Sequence, residues 1–269
     1  METETKQKPF NYIMTNKTFE TLSPSAAELA KPPKLDDIKR ALFIQPHPDD
    51  NQIGAGGTMA LLVSRGVEVY ELTVLDDRYS DLDYSGEGLT VRQAEALAAA
   101  ECLGTTHVGF VGYGDRTKAT EREITDAIIP YIRQVRPDVV FTPDPYLENE
   151  NHEDHVKVPR AAMYAVRDAC IGFLPELLDG KIRTDRWRTK MIAFYYTPKP
   201  NTIIDVTDFQ EKKLAAMNCH ATQMSDEVYM LVDMFSNEMA LGTPYKAAEG
   251  FRVISQIHTH CFHFPIINR

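Results

Sequence analysis

The chain has no uninterrupted run of 18 apolar residues, so the sequence offers no candidate for a bilayer span. Its first residues, METETKQKPFNYIM, lack the apolar core of a secretory signal, and the expected location is the cytoplasm. Cysteine is sparse: Cys102, Cys170, Cys219 and Cys261 stand far apart with no CxxC pair, as in a reduced chain with unpaired thiols. Positive charge is also short. The 29 Lys and Arg face 39 Asp and Glu, a formal net charge of −10, which argues against a sequence-independent grip on nucleic acid. No internal repeat, low-complexity tract or clear linker is visible. What remains is an ordinary globular composition, 43% hydrophobic over 269 residues.

Strand and helix patterns alternate along the chain. Residues 1–35 are polar, end in KPPK, and are expected to form an N-terminal arm with a short helix at 17–30. ALFIQ (41–45) reads as a buried strand, 52–65 as a helix closing near Gly66, and VEVYELTVL (67–75) as the next strand. The polar stretch 76–88 reads as a loop, VRQAEALAAAECLG (91–104) as a helix stopped by Gly104, and HVGFV (107–111) as a third strand. A helix over 121–135 and the strand PDVVFTP (137–143) follow, then a helix over 155–170 with Pro159 in its first turn. MIAFYYT (191–197) and TIIDVT (202–207) are strand-like, 209–224 is helical, and the tail FRVISQIHTHCFHF alternates or meanders. This order predicts an α/β, Rossmann-like layered fold: a mostly parallel central sheet flanked by helices, with a C-terminal strand and helix elaboration. A single domain over 36–269 is expected.

The chemistry concentrates at two strand exits. After ALFIQ comes Pro46-His47-Pro48-Asp49-Asp50, then Gly54-Ala55-Gly56-Gly57. In an open α/β sheet, ligands bind beyond the carboxyl ends of the strands. Three readings compete there. An Asp pair before a helix serves as a cap, but capping does not explain His47 between two prolines. A dinucleotide fingerprint fits poorly, because Met59 stands where GxGxxG needs a small residue and the glycines arrive late after the strand. Two carboxylates there would also repel a pyrophosphate. The third reading is a metal site. His47 and Asp50, three apart, fall on one side of a turn, and a catalytic zinc takes three such ligands plus water. PDPYLENENHEDHV (143–156), at the exit of the fourth strand, offers His152 and His155, again three apart. Either could be the third ligand; the other would then stabilise or protonate the reacting group. Asp49, beside the metal but not on it, would take a proton from water. That set is a kit for metal-assisted hydrolysis.

Other candidates have plain structural readings. Arg92 pairs with Glu95 or Asp83, Asp115 is a turn residue, and His107 is packing or edge. His220 is a structural hydrogen-bonder. His258 and His260 share one face if the tail is a strand, with His258 and His263 structural. Trp187, Tyr195 and Tyr196 are buried strand aromatics, and Glu148-Asn149-Glu150 is a solvated loop near the pocket mouth.

His47-Pro48-Asp49-Asp50 with Ile53-Gly54 and Gly56-Gly57-Thr58, and a later HxxH after a strand, resembles the PIG-L/LmbE-like zinc N-deacetylases, from about residue 39 onward. PDVVFTPDPYLENENHEDH, FYYTPKPNTIIDVTDFQEKKLAAMNCHATQ and EGFRV are most similar to the diacetylchitobiose deacetylase branch of that family. The resemblance implies removal of acetyl from N-acetylglucosamine-containing saccharides, with Zn2+ on His47, Asp50 and His155. It implies Asp49 as general base and His152 as oxyanion stabiliser or proton donor. Arg92 and Asp115 would meet the sugar, and His260 would sit at the rim of the pocket. It further implies a homo-oligomer, trimer or hexamer. Hydrolysis of a thiol-sugar conjugate, or sugar binding without catalysis, are the alternatives. Two positions depart from the family: Asn51 stands where many members have Glu, and Glu153 where HPDH has Pro.

Overall fold

The short apolar runs are strands buried on both faces, as a parallel sheet between helical layers requires. A computed structural model describes residues 12–14, 34–76, 88–172 and 184–259. Its strands are β1 (Tyr12–Met14), β2 (Arg40–Gln45), β3 (Glu68–Leu75), β4 (Thr106–Tyr113), β5 (Val139–Pro143), β6 (Met191–Tyr195), β7 (Thr202–Asp205) and β8 (Ala248–Ser255). Its helices are α1 (Asp50–Ser64), α2 (Val91–Leu103), α3 (Glu121–Val135), α4 (Glu153–Asp168), α5 (Gln210–Met217) and α6 (Asp226–Ala240).

The strands form one sheet in the order β1-β7-β8-β6-β5-β2-β3-β4. β2 pairs with β3 and β5, β3 with β4, and β5 with β6, all parallel. β8 joins β6 antiparallel and carries β7 and then β1, also antiparallel. Side chains alternate across the sheet. Phe43 and Phe141 stack at 4.2 Å on the face covered by α1, α2 and α5. Leu42, Ile44 and Val140 face the α3–α4 side, against Ile128, Ile132, Val158 and Ala162. The order of connection reverses between β2 and β5, since β2 leads outward to β3 on one side and β5 leads to β6 on the other. Such a switch point opens a crevice at the strand ends.

Local signals set several helix ends. Thr90 and Gln93 close a capping box on α2, Thr120 and Glu123 another on α3, and Gly104 ends α2 in a left-handed conformation at φ 80°. Other expectations shift. The helix read over 209–224 stops at Met217, so His220 lies in the turns beyond it. Pro159 falls in the second turn of α4 rather than the first, because that helix begins at Glu153. His258 sits in a short 3-10 turn over Gln256–Thr259, not in a strand, so a shared strand face with His260 does not apply. Helix α6 is absent from the sequence reading: only Val232, Ser236 and Ala240 on it are buried, a stripe too narrow to give a strong apolar period. Of the N-terminal arm, Tyr12–Met14, paired with β7, and residues 34–35 are described, and Leu35 is buried in the core. The helix expected at 17–30, most of the 76–88 loop, His260 and His263 lie outside the described residues.

Candidate metal centre

β2 and β5 end side by side at the switch point, and the two motifs follow them directly. His47 Nδ1 lies 3.2 Å from His155 Nε2. Asp50 sits between them, with Oδ2 at 3.4 Å from His47 Nδ1 and Oδ1 at 3.3 Å from His155 Nε2. Two segments more than a hundred residues apart thus converge three donor atoms on one point, and these three residues form a group able to hold a metal ion.

The outer nitrogens of both imidazoles face carboxylates. His47 Nε2 is 3.6 Å from Asp154 Oδ2 and 3.8 Å from Asp115 Oδ1; His155 Nδ1 is 3.5 Å from Glu150 Oε2. A carboxylate behind an imidazole holds the proton on the outer nitrogen and leaves the inner lone pair for a cation. Asp154 is itself buried and oriented by the Arg116 backbone N–H at 2.9 Å. The donor set therefore fits a divalent metal that accepts nitrogen and oxygen. A second group, His47, His152 and Asp154, shares His47. It would use the outer nitrogen of His47, and the side chain of His152 is 43% exposed. The first group is the better enclosed.

The charges express this crowding. Burial disfavours a charged His47, yet Asp154 and Asp50 override it and raise its pKa to about 10. Burial opposes ionisation of Asp50, but His155 and His47 hold it well below the usual carboxylate range. Asp49 is pushed up to about 6, by burial first and then by Asp50, with Arg92 pulling the other way. Asp49 occupies the N-cap of α1, but its side chain makes no capping bond. Its Oδ2 instead lies 2.9 Å from a guanidinium nitrogen of the buried Arg92. The capping reading fails for that carboxylate, and Arg92 pairs with it rather than with Glu95, whose oxygens accept Thr222 N–H and O–H at 2.8 and 2.7 Å.

His152 stacks on His155, with centroids 4.5 Å apart, and meets His47 edge-on at 4.7 Å. Asp115 reaches the outer nitrogen of His47 from the loop after β4. His260 lies outside the described residues. The glycines of the opening motif serve packing. A Cβ at Gly54 would lie 2.4 Å from the Tyr195 ring, and one at Gly57 2.8 Å from Val206.

The profile of the PIG-L family, described as GlcNAc-PI de-N-acetylase, matches residues 42–166. Diacetylchitobiose deacetylase of Thermococcus kodakarensis is 33% identical over 237 residues, 84% of this chain and 86% of that protein. The chain belongs to the PIG-L family. Among solved PIG-L relatives, N,N'-diacetylchitobiose deacetylase from Pyrococcus horikoshii, complexed with an inhibitor, superposes with a TM-score of 0.74 at 31% identity. That match covers 85% of this chain and 88% of the other. A deacetylase of 1D-myo-inositol 2-acetamido-2-deoxy-alpha-D-glucopyranoside from Mycolicibacterium smegmatis is 28% identical over 80% of this chain and 90% of its own length.

The sequence reading of this PIG-L chain missed two groups at the centre. Asp154 lies inside the HxxH stretch, but nothing in its spacing shows that it turns back onto His47. Glu150, expected in a solvated loop, accepts the His152 backbone N–H at 2.8 Å and backs His155. His220, expected to be a hydrogen-bonder, is fully buried with no partner for either ring nitrogen among the described residues, and burial lowers its pKa to about 4.

Proposed function

We propose that this chain is a zinc-dependent N-deacetylase that releases acetate from an N-acetylglucosamine-containing saccharide, such as a short chitin oligomer. The observation that carries the reading is the convergence of His47 Nδ1, Asp50 and His155 Nε2, each histidine backed by a carboxylate. The two deacetylases of N-acetylated sugars, each covering most of the chain, supply the reaction class. His47, Asp50 and His155 would hold the ion. When bound, it supplies Lewis acidity to the acetamide carbonyl and to water.

The chain's own residues carry the proton transfers. Asp49 takes a proton from the attacking water on a carboxylate oxygen. Burial and the neighbouring Asp50 raise its pKa above the usual carboxylate range, the direction that makes a carboxylate a better base. Arg92, at 2.9 Å, orients that carboxylate. His152, partly exposed and stacked on His155, offers an imidazole N–H to the developing oxyanion or a proton to the departing amine. Arg92, Asp115 and His260 are the proposed sugar contacts. The products are acetate and a free glucosamine-type amine.

Residues 36–269 act as one domain in this reading, since the described strands share one sheet. Among the described residues no helix is long and apolar enough to cross a membrane, and cytoplasmic residence is proposed. A homo-oligomer, trimer or hexamer, is supported by the exposed apolar side chains Met230, Leu231, Met234, Phe235 and Leu241 on and after α6. The deciding experiment measures acetate release from N-acetylglucosamine and from N,N'-diacetylchitobiose, before and after chelation and with zinc restored. Release that is lost with the chelator and returns with zinc is expected. A zinc-loaded chain that releases no acetate from either sugar refutes the reading.

A further inference from the structure

Tyr195 and Tyr196 depart from strand geometry. Successive side chains in a strand point to opposite faces. Yet these two rings meet edge to face, 4.9 Å between centroids and 77° between planes. The cause is the backbone of Tyr196, left-handed at φ 55° immediately after the last residue of β6. For a bulky residue such a conformation is strained and persists only where its surroundings impose it. The kink brings the second ring round, so that both phenols reach the first turn of α1. The Tyr195 O–H donates to Asn51 Oδ1 at 3.0 Å, and the Tyr196 O–H donates to the backbone carbonyl of Asp50 at 3.3 Å. The main chain is pinned from behind, where the Tyr195 carbonyl accepts the Asp144 N–H at 2.8 Å. Helix α1 makes room at Gly54, where a Cβ would lie 2.4 Å from the Tyr195 ring and 3.0 Å from that of Tyr196.

We infer that Tyr196 is a positioning residue for the metal centre: its kinked backbone carries a phenol onto the Asp50 peptide and fixes the height of the Asp49–Asp50 turn against His155. The inference rests on the metal-site reading above and deepens it. A turn free to ride up or down would change how far the Asp50 carboxylate reaches toward His47 and His155. It would also move Asp49, one residue away, relative to the attacking water. Asn51 is held by the neighbouring phenol, so the pair of tyrosines grips two consecutive residues of the motif.

Tyr196→Phe deletes one oxygen and keeps the ring and the kink. On the full chain we would measure zinc affinity by competition with a chromogenic chelator, kcat and KM for acetate release from N,N'-diacetylchitobiose, and Tm. Zinc binding about 10-fold weaker is expected, the lower end of what losing an outer partner of a metal ligand costs. With it, kcat falls while KM stays within roughly twofold and Tm stays at the wild-type value. Gly54→Ala keeps both phenols but forces the rings off α1, and weakens zinc binding in the same direction. Wild-type zinc affinity and kcat in Tyr196→Phe overturn the inference. So does an affinity loss that in both variants merely tracks a fall in Tm. If the wild type binds zinc but releases no acetate, the deacetylase reading fails, while the affinity comparison still decides the role of Tyr196.

Discussion

Helix α1 carries two buried charged clusters about two turns apart, and they are built on opposite principles. In its middle, Glu249 from β8 accepts the Gly57 and Thr58 N–H groups at 3.0 and 2.8 Å and the Lys213 ammonium at 2.8 Å. Every charge there has a partner, and the cluster ties α1, α5 and β8 together. At the N-terminal end, His47 and His155 present nitrogens to each other at 3.2 Å with Asp50 alongside. Two ring nitrogens and a carboxylate converge there from two distant segments, and the Asp50 carboxylate also accepts the His47 backbone N–H at 2.9 Å. Buried polarity that is fully paired holds a fold; buried polarity that is left convergent awaits a ligand. The parallel half of the sheet supplies the second kind at its strand ends, and the antiparallel half supplies the first.

That contrast can be broken from either side. At the convergent end, Asp49→Asn lowers kcat roughly 100- to 10,000-fold, the range for loss of a general base, while zinc content and Tm stay near wild type; steady-state acetate release with metal analysis checks it. At the paired end, Glu249→Ala leaves Lys213 buried without its partner and costs about 3–5 kcal/mol in urea unfolding. Zinc bound per folded chain should not change, and a loss of zinc would mean the two clusters are one unit. Asp154→Asn sharpens the comparison, since it touches the convergent cluster only from behind. Metal affinity should weaken about 10- to 100-fold with little change in unfolding free energy.

The smallest effect is away from both clusters. Asp138 accepts the Lys39 and Arg40 N–H groups at 2.8 and 3.1 Å and pairs with Lys190 at 2.8 Å. Burial opposes its ionisation, but Lys190 and the two amides outweigh that and lower its pKa. A carboxylate lowered in the fold contributes stability above the ordinary carboxylate range and loses it as pH falls through the lowered value. Asp138→Asn should therefore cost about 1 kcal/mol at neutral pH, mostly through the amide contacts because Lys190 is 63% exposed. The difference from wild type should shrink toward zero in acid, as read by urea unfolding at two pH values.

Much of the architecture was legible because its signals are local. The runs ALFIQ, VEVYELTVL and PDVVFTP are short and continuously apolar, and the capped helices between them leave a parallel sheet as the simple solution. Helix α6 escaped because its outward face carries Met230, Leu231, Met234 and Phe235, which blurs the period that marks an amphipathic helix. The roles of Asp154 and Glu150 escaped because an acidic residue in a polar loop looks solvated until the strand that turns it inward is known. Arg92 was visible as a candidate, but its grip on Asp49 depends on how α2 leans against α1.

The order of residues alone determined which chemical groups stand at the ends of β2 and β5, since a motif that follows a strand directly is carried to that strand's end. Only the tertiary structure decided that those two ends are neighbours, which nitrogen of each histidine faces inward, and that two consecutive tyrosines share a face. Those outcomes depend on strand order, on carboxylates arriving from other loops and on one left-handed residue. Each is a contact between segments distant in the chain, and no local propensity encodes it.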